Sequence, residues 1–123
     1  MSYIYQNITG NIAVNLAGKN NASYPFSKER IKSISLCNTH GTDSVGIDLY
    51  YYKETVVSSV LNNYDAPVTT PITYYFLKNV KIPIGTTLKL NEEDIAMFNS
   101  KEYALYIKLS ASDSTVDVII TIN

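Results

Sequence analysis

The sequence has little of the chemistry on which disulfide frameworks, metal centres and catalytic triads depend. Its 123 residues include one cysteine (Cys37), one histidine (His40) and no tryptophan. A single cysteine excludes an intramolecular disulfide and any zinc site built from cysteines, which is typical of a reducing compartment or of a particle assembled in one. A chain of this length buries enough surface to fold without such staples. We therefore expect no cofactor and no structural metal.

Long apolar runs and an excess of charge of one sign are also missing. Nowhere do 18 apolar residues follow one another, and the opening MSYIYQNITGNIAV lacks the basic and apolar regions of a signal peptide. Ten Lys and Arg residues stand against eleven Asp and Glu residues, for a net charge of −1. So small a charge would not attract nucleic acid or an anionic membrane. We expect neither as a partner.

Period-two alternation of apolar and polar residues dominates the chain and is typical of half-buried β-strands. Turn-forming residues interrupt it at roughly ten-residue spacing, which indicates seven or eight short strands. The pattern predicts an all-β fold, namely a single antiparallel β-sandwich domain over residues 1–123, either Ig-like or jelly-roll-like. The residues that we expect to face inward are Ile34, Leu36, Val45, Ile47, Leu49, Leu105, Ile107, Val118 and Ile120.

Four segments carry more specific predictions. Residues 31–52 are predicted to form two strands joined by a polar loop, a hairpin-like unit in which the out-of-phase Ile31 indicates a bulge or a late strand start. Residues 54–71 are predicted to be a less regular excursion. The segment 73–83 is apolar on both faces, as a central strand covered on both sides would be. The acid-led segment 91–100 is predicted to contain one helical turn.

Three groups of reactive residues each have a simpler structural interpretation. Cys37 and His40 could be a nucleophile and base or part of a metal site, but a free cysteine ending an apolar strand is typically a small buried hydrophobe. His40, Asp43 and Ser44 share one loop, whereas a triad is assembled across a fold. The acids 92–94 suit a helix start and lack the spacing of a calcium loop. We predict no enzyme and no catalytic, cofactor-binding or metal site.

Tyrosine is the abundant residue, with eleven copies against three phenylalanines. Tyrosine favours the half-buried faces of strands and is also enriched at interfaces. The tyrosines are therefore interpreted either as ordinary strand-face residues or as surfaces that bind partner chains or glycans. The interface candidates are Tyr3, Tyr5, Tyr24, Tyr50, Tyr52, Tyr64 and Tyr75.

Three segments of the sequence resemble a known group of proteins. They are IKSISLCNTHGTDSVGIDLYYYK, YYFLKNVKIPIGTTLKL and YALYIKLSASDSTVDVIITI, within residues 31–53 and 74–122. In this pattern the chain resembles small virion structural proteins of tailed bacteriophages, particularly marine and cyanobacterial ones. The resemblance brings no catalytic residues with it, and residues 1–30 and 54–71 lie outside it.

The resemblance implies a role on the phage particle. The expected function is that of a capsid decoration (cement) protein, assembled in the cytoplasm of the bacterial host and located on the virion. Such a protein would stabilise the particle through contacts with the major capsid protein or other virion proteins, as a homo-oligomer such as a trimer. A neck, tail or baseplate accessory protein is the alternative location on the particle.

A carbohydrate-binding module is the alternative from a different functional class. It would use exposed tyrosine faces such as those of Tyr50, Tyr52 and Tyr75, although the absence of tryptophan counts against it. An enzyme that uses Cys37 and His40 is the remaining alternative. Glycan binding by the isolated domain would favour the first, and loss of function on replacing both residues would favour the second.

Overall fold

Eight β-strands and one 3₁₀ turn make up the regular structure of the described chain. The computed structural model describes residues 2–25, 30–57, 68–95 and 101–122. The strands are β1 (Ser2–Thr9), β2 (Val14–Gly18), β3 (Ile31–Asn38), β4 (Val45–Val57), β5 (Val68–Ile82), β6 (Thr87–Asn91), β7 (Ala104–Leu109) and β8 (Thr115–Ile122), and the 3₁₀ turn covers Glu92–Asp94.

The strands form two four-stranded antiparallel sheets. Sheet A has the order β1-β8-β3-β6, and sheet B has the order β2-β7-β4-β5. The first half of the chain therefore pairs with the second half in reverse, as β1 with β8, β2 with β7, β3 with β6 and β4 with β5. This is the winding of an eight-stranded jelly roll. The predicted all-β sandwich is confirmed, and the strand order decides for the jelly roll over the Ig-like alternative.

The core lies between the sheets and consists of the inward rows of their strands. All nine residues predicted to face inward are buried, with at most 1% of their surface exposed. The edge strand β1 adds Ile4 and Ile8 to the same cluster. Each fully buried aliphatic side chain contributes roughly 1.5–3 kcal/mol relative to exposure. This cluster packs the two sheets against each other.

Residues 31–52 do not form the predicted hairpin. β3 pairs with β8 and β6 in sheet A, whereas β4 pairs with β5 and β7 in sheet B. Residues 39–44 therefore cross from one sheet to the other. Alternation shows which side chains of a strand face inward. The same side chains face inward whether the two strands form a hairpin in one sheet or belong to two facing sheets, so the alternation could not distinguish the two arrangements.

Asn38 holds this crossover in place. Its side chain is only 1% exposed. Its Nδ2 donates to the carbonyl oxygens of Asp43 and Ile82, each at 2.9 Å, and its Oδ1 accepts from the N–H of His40 at 2.8 Å. One buried amide thus joins the end of β3, the crossover and the end of β5.

β5 is an edge strand and not the predicted central strand. Its pairing with β4 shifts register on both sides of Leu49, and at each shift β5 has one residue more than β4. Asn79 lies at one of these bulges with φ of 53°, and its N–H donates to Oδ1 of Asp48 at 2.8 Å. Each bulge reverses the face to which the next side chain points. Apolar residues therefore fall on both faces although the strand is not covered on both sides.

The structure also bears on the other local predictions. The register shift between Ile31 and Ser33 confirms the bulge in β3, and the 3₁₀ turn at Glu92–Asp94 confirms the predicted helical turn. Within the predicted excursion, residues 54–57 and 68–71 are paired strand, and residues 58–67 lie outside the described residues. No helix within the described residues is long and apolar enough to cross a membrane.

Candidate functional site

The loop between β3 and β4 is held by hydrogen bonds to the side chain of His40. The ring Nδ1 accepts hydrogen bonds from the backbone N–H groups of Thr42 at 3.1 Å and Asp43 at 3.0 Å. The ring proton therefore lies on Nε2, which donates to Oδ2 of Asp113 at 3.0 Å. This hydrogen bond holds the pKa of Asp113 below its usual range. The histidine thus joins two loops that are distant in sequence.

The same group is the one place in the described chain where three metal-ligating side chains meet. Ligand atoms of His40, Asp43 and Asp113 lie within 4.8 Å of one another. Both ring nitrogens of His40 already make hydrogen bonds, so a metal ion would have to displace a loop contact. These hydrogen bonds favour the interpretation of the group as a fixed turn over its interpretation as a metal site. Sequence reasoning missed Asp113 because it lies 73 residues from His40.

Cys37 is not the buried hydrophobe that the sequence predicts. It lies half-buried on the outer face of sheet A, because Leu36 and Asn38 on either side face inward. Its Sγ is 4.0 Å from the backbone oxygen of Asn38, whereas His40 contacts Asp113. Ser44 is exposed. The structure therefore does not bring Cys37, His40 and Ser44 together as a reactive group.

The outer face of sheet B carries a row of tyrosines from three adjacent strands. Tyr50 on β4 lies opposite Tyr106 on β7 and Tyr75 on β5. The ring centroid of Tyr50 is 5.8 Å from that of Tyr106, with an interplanar angle of 9°, and 5.2 Å from that of Tyr75. Tyr52 adds an edge-on contact with Tyr106 at 5.5 Å. We call Tyr50, Tyr52, Tyr75 and Tyr106 the sheet B tyrosine row.

Charged groups border this row. Lys78 Nζ lies 4.3 Å from the ring centroid of Tyr75 and 3.7 Å from Oδ2 of Asp48. At the other side, the hydroxyl of Tyr52 donates to Oε1 of Glu54 at 2.9 Å. Partial burial and the neighbouring tyrosines raise the pKa of Tyr50. The row is therefore an apolar strip with a polar, charged border.

Open depressions lie on the two sides of the row along the direction of the strands. One, of about 260 Å³, is lined by residues that include Asp48, Asn79 and Lys108. The other, of about 280 Å³, is lined by residues that include Tyr52 and Tyr106. The tyrosine row and the two depressions form an uneven surface with room for the side chains of a partner.

A second tyrosine surface lies on the outer face of sheet A. Tyr3 and Tyr5 are 53% and 68% exposed, and their ring centroids are 6.2 Å apart. Ile119 on the adjacent β8 lies opposite Tyr5 and is 37% exposed. Tyr3, Tyr5 and Ile119 thus form a small apolar patch on this face.

The remaining interface candidates belong to neither surface. Tyr24 is half-buried and packs against the core, and its backbone oxygen accepts from the N–H of Gly18 at 2.9 Å. Tyr64 lies outside the described residues. Tyr106 is not among the interface candidates, although its alternation with the buried Leu105 and Ile107 places it on the outer face of its strand.

Tyr51 provides a test of the packing beneath the sheet B tyrosine row. It is 6% exposed and makes an edge-on contact with Phe76 at 4.3 Å, and burial raises its pKa well above the ordinary value. In the unfolded chain it ionises near pH 10. The free energy of unfolding should therefore fall as pH rises above about 10. Replacing Tyr51 with Phe should make this fall less steep, as urea unfolding of both proteins between about pH 8 and 11 would show; identical slopes would contradict it.

Fold and surfaces together define a class of protein: an eight-stranded jelly roll that carries tyrosines on the outer faces of both sheets. Neither a family model nor a curated protein matches this sequence. The function is therefore inferred from the geometry of the two tyrosine surfaces and from the resemblance that the sequence segments carry.

Proposed function

We propose that this protein is a non-enzymatic structural protein of a phage virion, which binds the particle through protein–protein contacts as a capsid decoration protein. Two observations support the proposal. Residues 31–53 and 74–122 resemble small virion structural proteins. The sheet B tyrosine row places three tyrosines side by side on adjacent strands, with charged side chains at its border. The tyrosine row is the observation that carries the proposal.

The row has the composition of a protein-binding surface. Tyrosine supplies a large contact area with few rotatable bonds, and it is enriched among the residues that dominate binding energy. The rings lie within the range of mutual aromatic contact, which holds them in place before a partner arrives. A rigid apolar strip with a polar border is the usual anatomy of an interface.

The geometry favours a protein partner over a glycan. Lys78 covers one face of the Tyr75 ring. The rings of Tyr50 and Tyr106 are almost parallel at 5.8 Å, so part of each ring face is turned toward the other. A sugar ring stacks on an open aromatic face, and these contacts partly cover one face of each of the three rings. The carbohydrate-binding alternative is therefore the weaker one for this surface.

The proposal is tested on virions of the phage that encodes the protein. We expect the protein in purified virions, in a fixed copy number on the capsid. Recovery with isolated necks, tails or baseplates would place it there and overturn the capsid decoration role. Absence from virions, combined with binding of the isolated protein to a glycan array, would overturn the virion role itself.

A single substitution tests whether the sheet B tyrosine row makes the contact. Tyr75→Ala should lower the affinity for particles that lack the protein at least tenfold, because truncation of an interface hot spot costs about 2 kcal/mol or more. Tyr74→Ala is the matched control, since Tyr74 is the neighbouring residue, is 57% exposed and contacts Tyr103 instead of the row. Equal loss of binding in both variants would contradict the assignment.

A further inference from the structure

The outer face of sheet A has an internal pattern that suits a second copy of this chain. We infer that two copies pack against each other through the outer face of sheet A. They are related by a two-fold axis that runs parallel to the strands, midway between the two copies and above the line between β8 and β3. This inference goes beyond the proposed function, because it concerns the isolated protein and not the particle. It also involves the sheet opposite the sheet B tyrosine row.

Three outward rows of side chains cross sheet A from edge to edge. Within each row the pairing runs from β1 through β8 and β3 to β6. Two tyrosines lie on β1, and the outward side chains that β3 adds to the rows are all small, namely Ser33, Ser35 and Cys37. The rows are Tyr3–Thr121–Ser33–Asn91, Tyr5–Ile119–Ser35–Lys89 and Asn7–Asp117–Cys37–Thr87.

The two-fold axis reverses the order of each row on the facing copy. β1 of one copy then lies over β6 of the other, and β8 lies over β3. In the middle row Tyr5 faces Lys89, and Ile119 faces Ser35. A lysine ammonium over a tyrosine ring is an attractive pair, and a large side chain opposite a small one lets two sheets approach to about 10 Å. Each of these contacts occurs twice in the dimer.

Charges on the face are compatible with this arrangement. Among the three rows the charged side chains are Asp117 and Lys89. The axis places Asp117 opposite Cys37 and not opposite itself, and Asp117 already accepts a hydrogen bond from Nδ2 of Asn7 at 2.7 Å. The arrangement therefore opposes no like charges directly.

The area of the face suits a weak, reversible dimer. Three strands of eight residues and one of five, at ~3.3 Å per residue and ~4.8 Å between strands, give roughly 460 Å² in plane. Two such faces remove roughly 900 Å² from water before side-chain relief is counted, which is close to the ~1,000 Å² that a specific interface needs. We therefore expect a dimer that forms and dissociates with concentration.

The inferred two-fold symmetry differs from that of the trimer named above as an expectation. A face that packs on itself requires a two-fold axis, whereas a three-fold axis joins two different patches. Sedimentation equilibrium of the isolated protein should show a monomer–dimer equilibrium. A monomer at all concentrations, or a trimer, would overturn the inference whether or not the protein is found on virions.

A charge swap tests the register of the interface. Tyr5→Lys places two ammonium groups opposite each other twice per dimer, and should weaken dimerisation at least tenfold. Adding Lys89→Glu should restore the dimer, because the ammonium introduced on β1 of one copy then faces the carboxylate introduced on β6 of the other. Within one copy the two positions lie on opposite edges of sheet A, so the rescue cannot arise inside a monomer. Failure of the double variant to dimerise would overturn the proposed register.

Two further measurements separate association from folding. Tyr74→Lys, an exposed substitution on sheet B, should leave the dimer unchanged, and far-UV circular dichroism should show all variants folded. Cys37, the one thiol in the chain, lies on the proposed interface. Its reaction with a thiol reagent should slow as the wild-type concentration rises and stay constant for Tyr5→Lys; a rate independent of concentration in the wild type would contradict the inference.

Discussion

Truncation of Leu49 to alanine is expected to lower the free energy of unfolding by about 3–5 kcal/mol. Leu49 is fully buried at the centre of sheet B, where β4 is hydrogen-bonded to β5 and β7. The loss combines the transfer free energy of the removed groups with the cavity left in a core that strands on both sides hold rigid. Urea unfolding followed by circular dichroism measures it.

The control for this prediction is an aliphatic residue outside the core. Ile12 is 79% exposed, so Ile12→Ala should change the free energy of unfolding by less than about 0.5 kcal/mol. If Leu49→Ala cost no more than Ile12→Ala, the inward assignment of the β4 row would be wrong.

Replacement of Asn38 is expected to cost about 2–4 kcal/mol. Asn38→Ala removes the donor for the carbonyl oxygens of Asp43 and Ile82 and the acceptor for the N–H of His40. A buried polar group left without a partner costs about 1–3 kcal/mol. Asn38→Asp should be worse at neutral pH, because a buried carboxylate would then face two carbonyl oxygens.

An exposed asparagine serves as the control for Asn38. Asn11 is exposed, and Asn11→Ala should leave the free energy of unfolding nearly unchanged. A neutral effect of Asn38→Ala, or Asn38→Asp as stable as Asn38→Ala, would contradict the role of Asn38 as the anchor of the crossover.

The sequence predicts which side chains of a strand face inward better than it predicts which strands lie next to each other. Alternation identifies Ile34, Leu36, Ile47 and Leu49 as inward-facing, and all four are fully buried. It is local, and it carries no information about which strand lies alongside. The crossover between β3 and β4 therefore looks like a hairpin in sequence, although the two strands belong to different sheets.

Bulges explain the other error. β5 carries two extra residues, one of them beside Leu77, so the neighbouring Phe76 and Leu77 both pack against the core. The sequence signal for this irregularity is Asn79, whose residue type tolerates positive φ. Without the partner strand, the same signal is compatible with a turn or a strand end.

For the candidate surfaces, too, the sequence predicts the face on which a residue lies but not which residues of other strands lie beside it. Composition singles out tyrosine, and alternation places Tyr3 with Tyr5, and Tyr50 with Tyr52, on common faces. Only the register brings Tyr50, Tyr75 and Tyr106 into one row. Likewise the contact of His40 with Asp113 depends on two loops that are remote in sequence.

The reversed pairing of the two halves of the chain implies an order of folding. Of the four pairs that join the halves, β4 with β5 has the shortest connection, residues 58–67, while β1 and β8 stand at opposite ends of the sequence. The entropy lost on closing a loop grows with its length. We therefore expect β4 and β5 to pair first.

Each pair that forms shortens the loops that the next pair must close. Once β4 and β5 are joined, β3 and β6 are separated from them by residues 39–44 and 83–86 alone. The same holds in turn for β2 with β7 and then for β1 with β8. The strand pairs therefore form one after another, from the middle of the sequence toward its two ends. β8 lies between β1 and β3 in sheet A, so sheet A cannot be completed on the nascent protein until β8 has been synthesised, whereas sheet B does not depend on it.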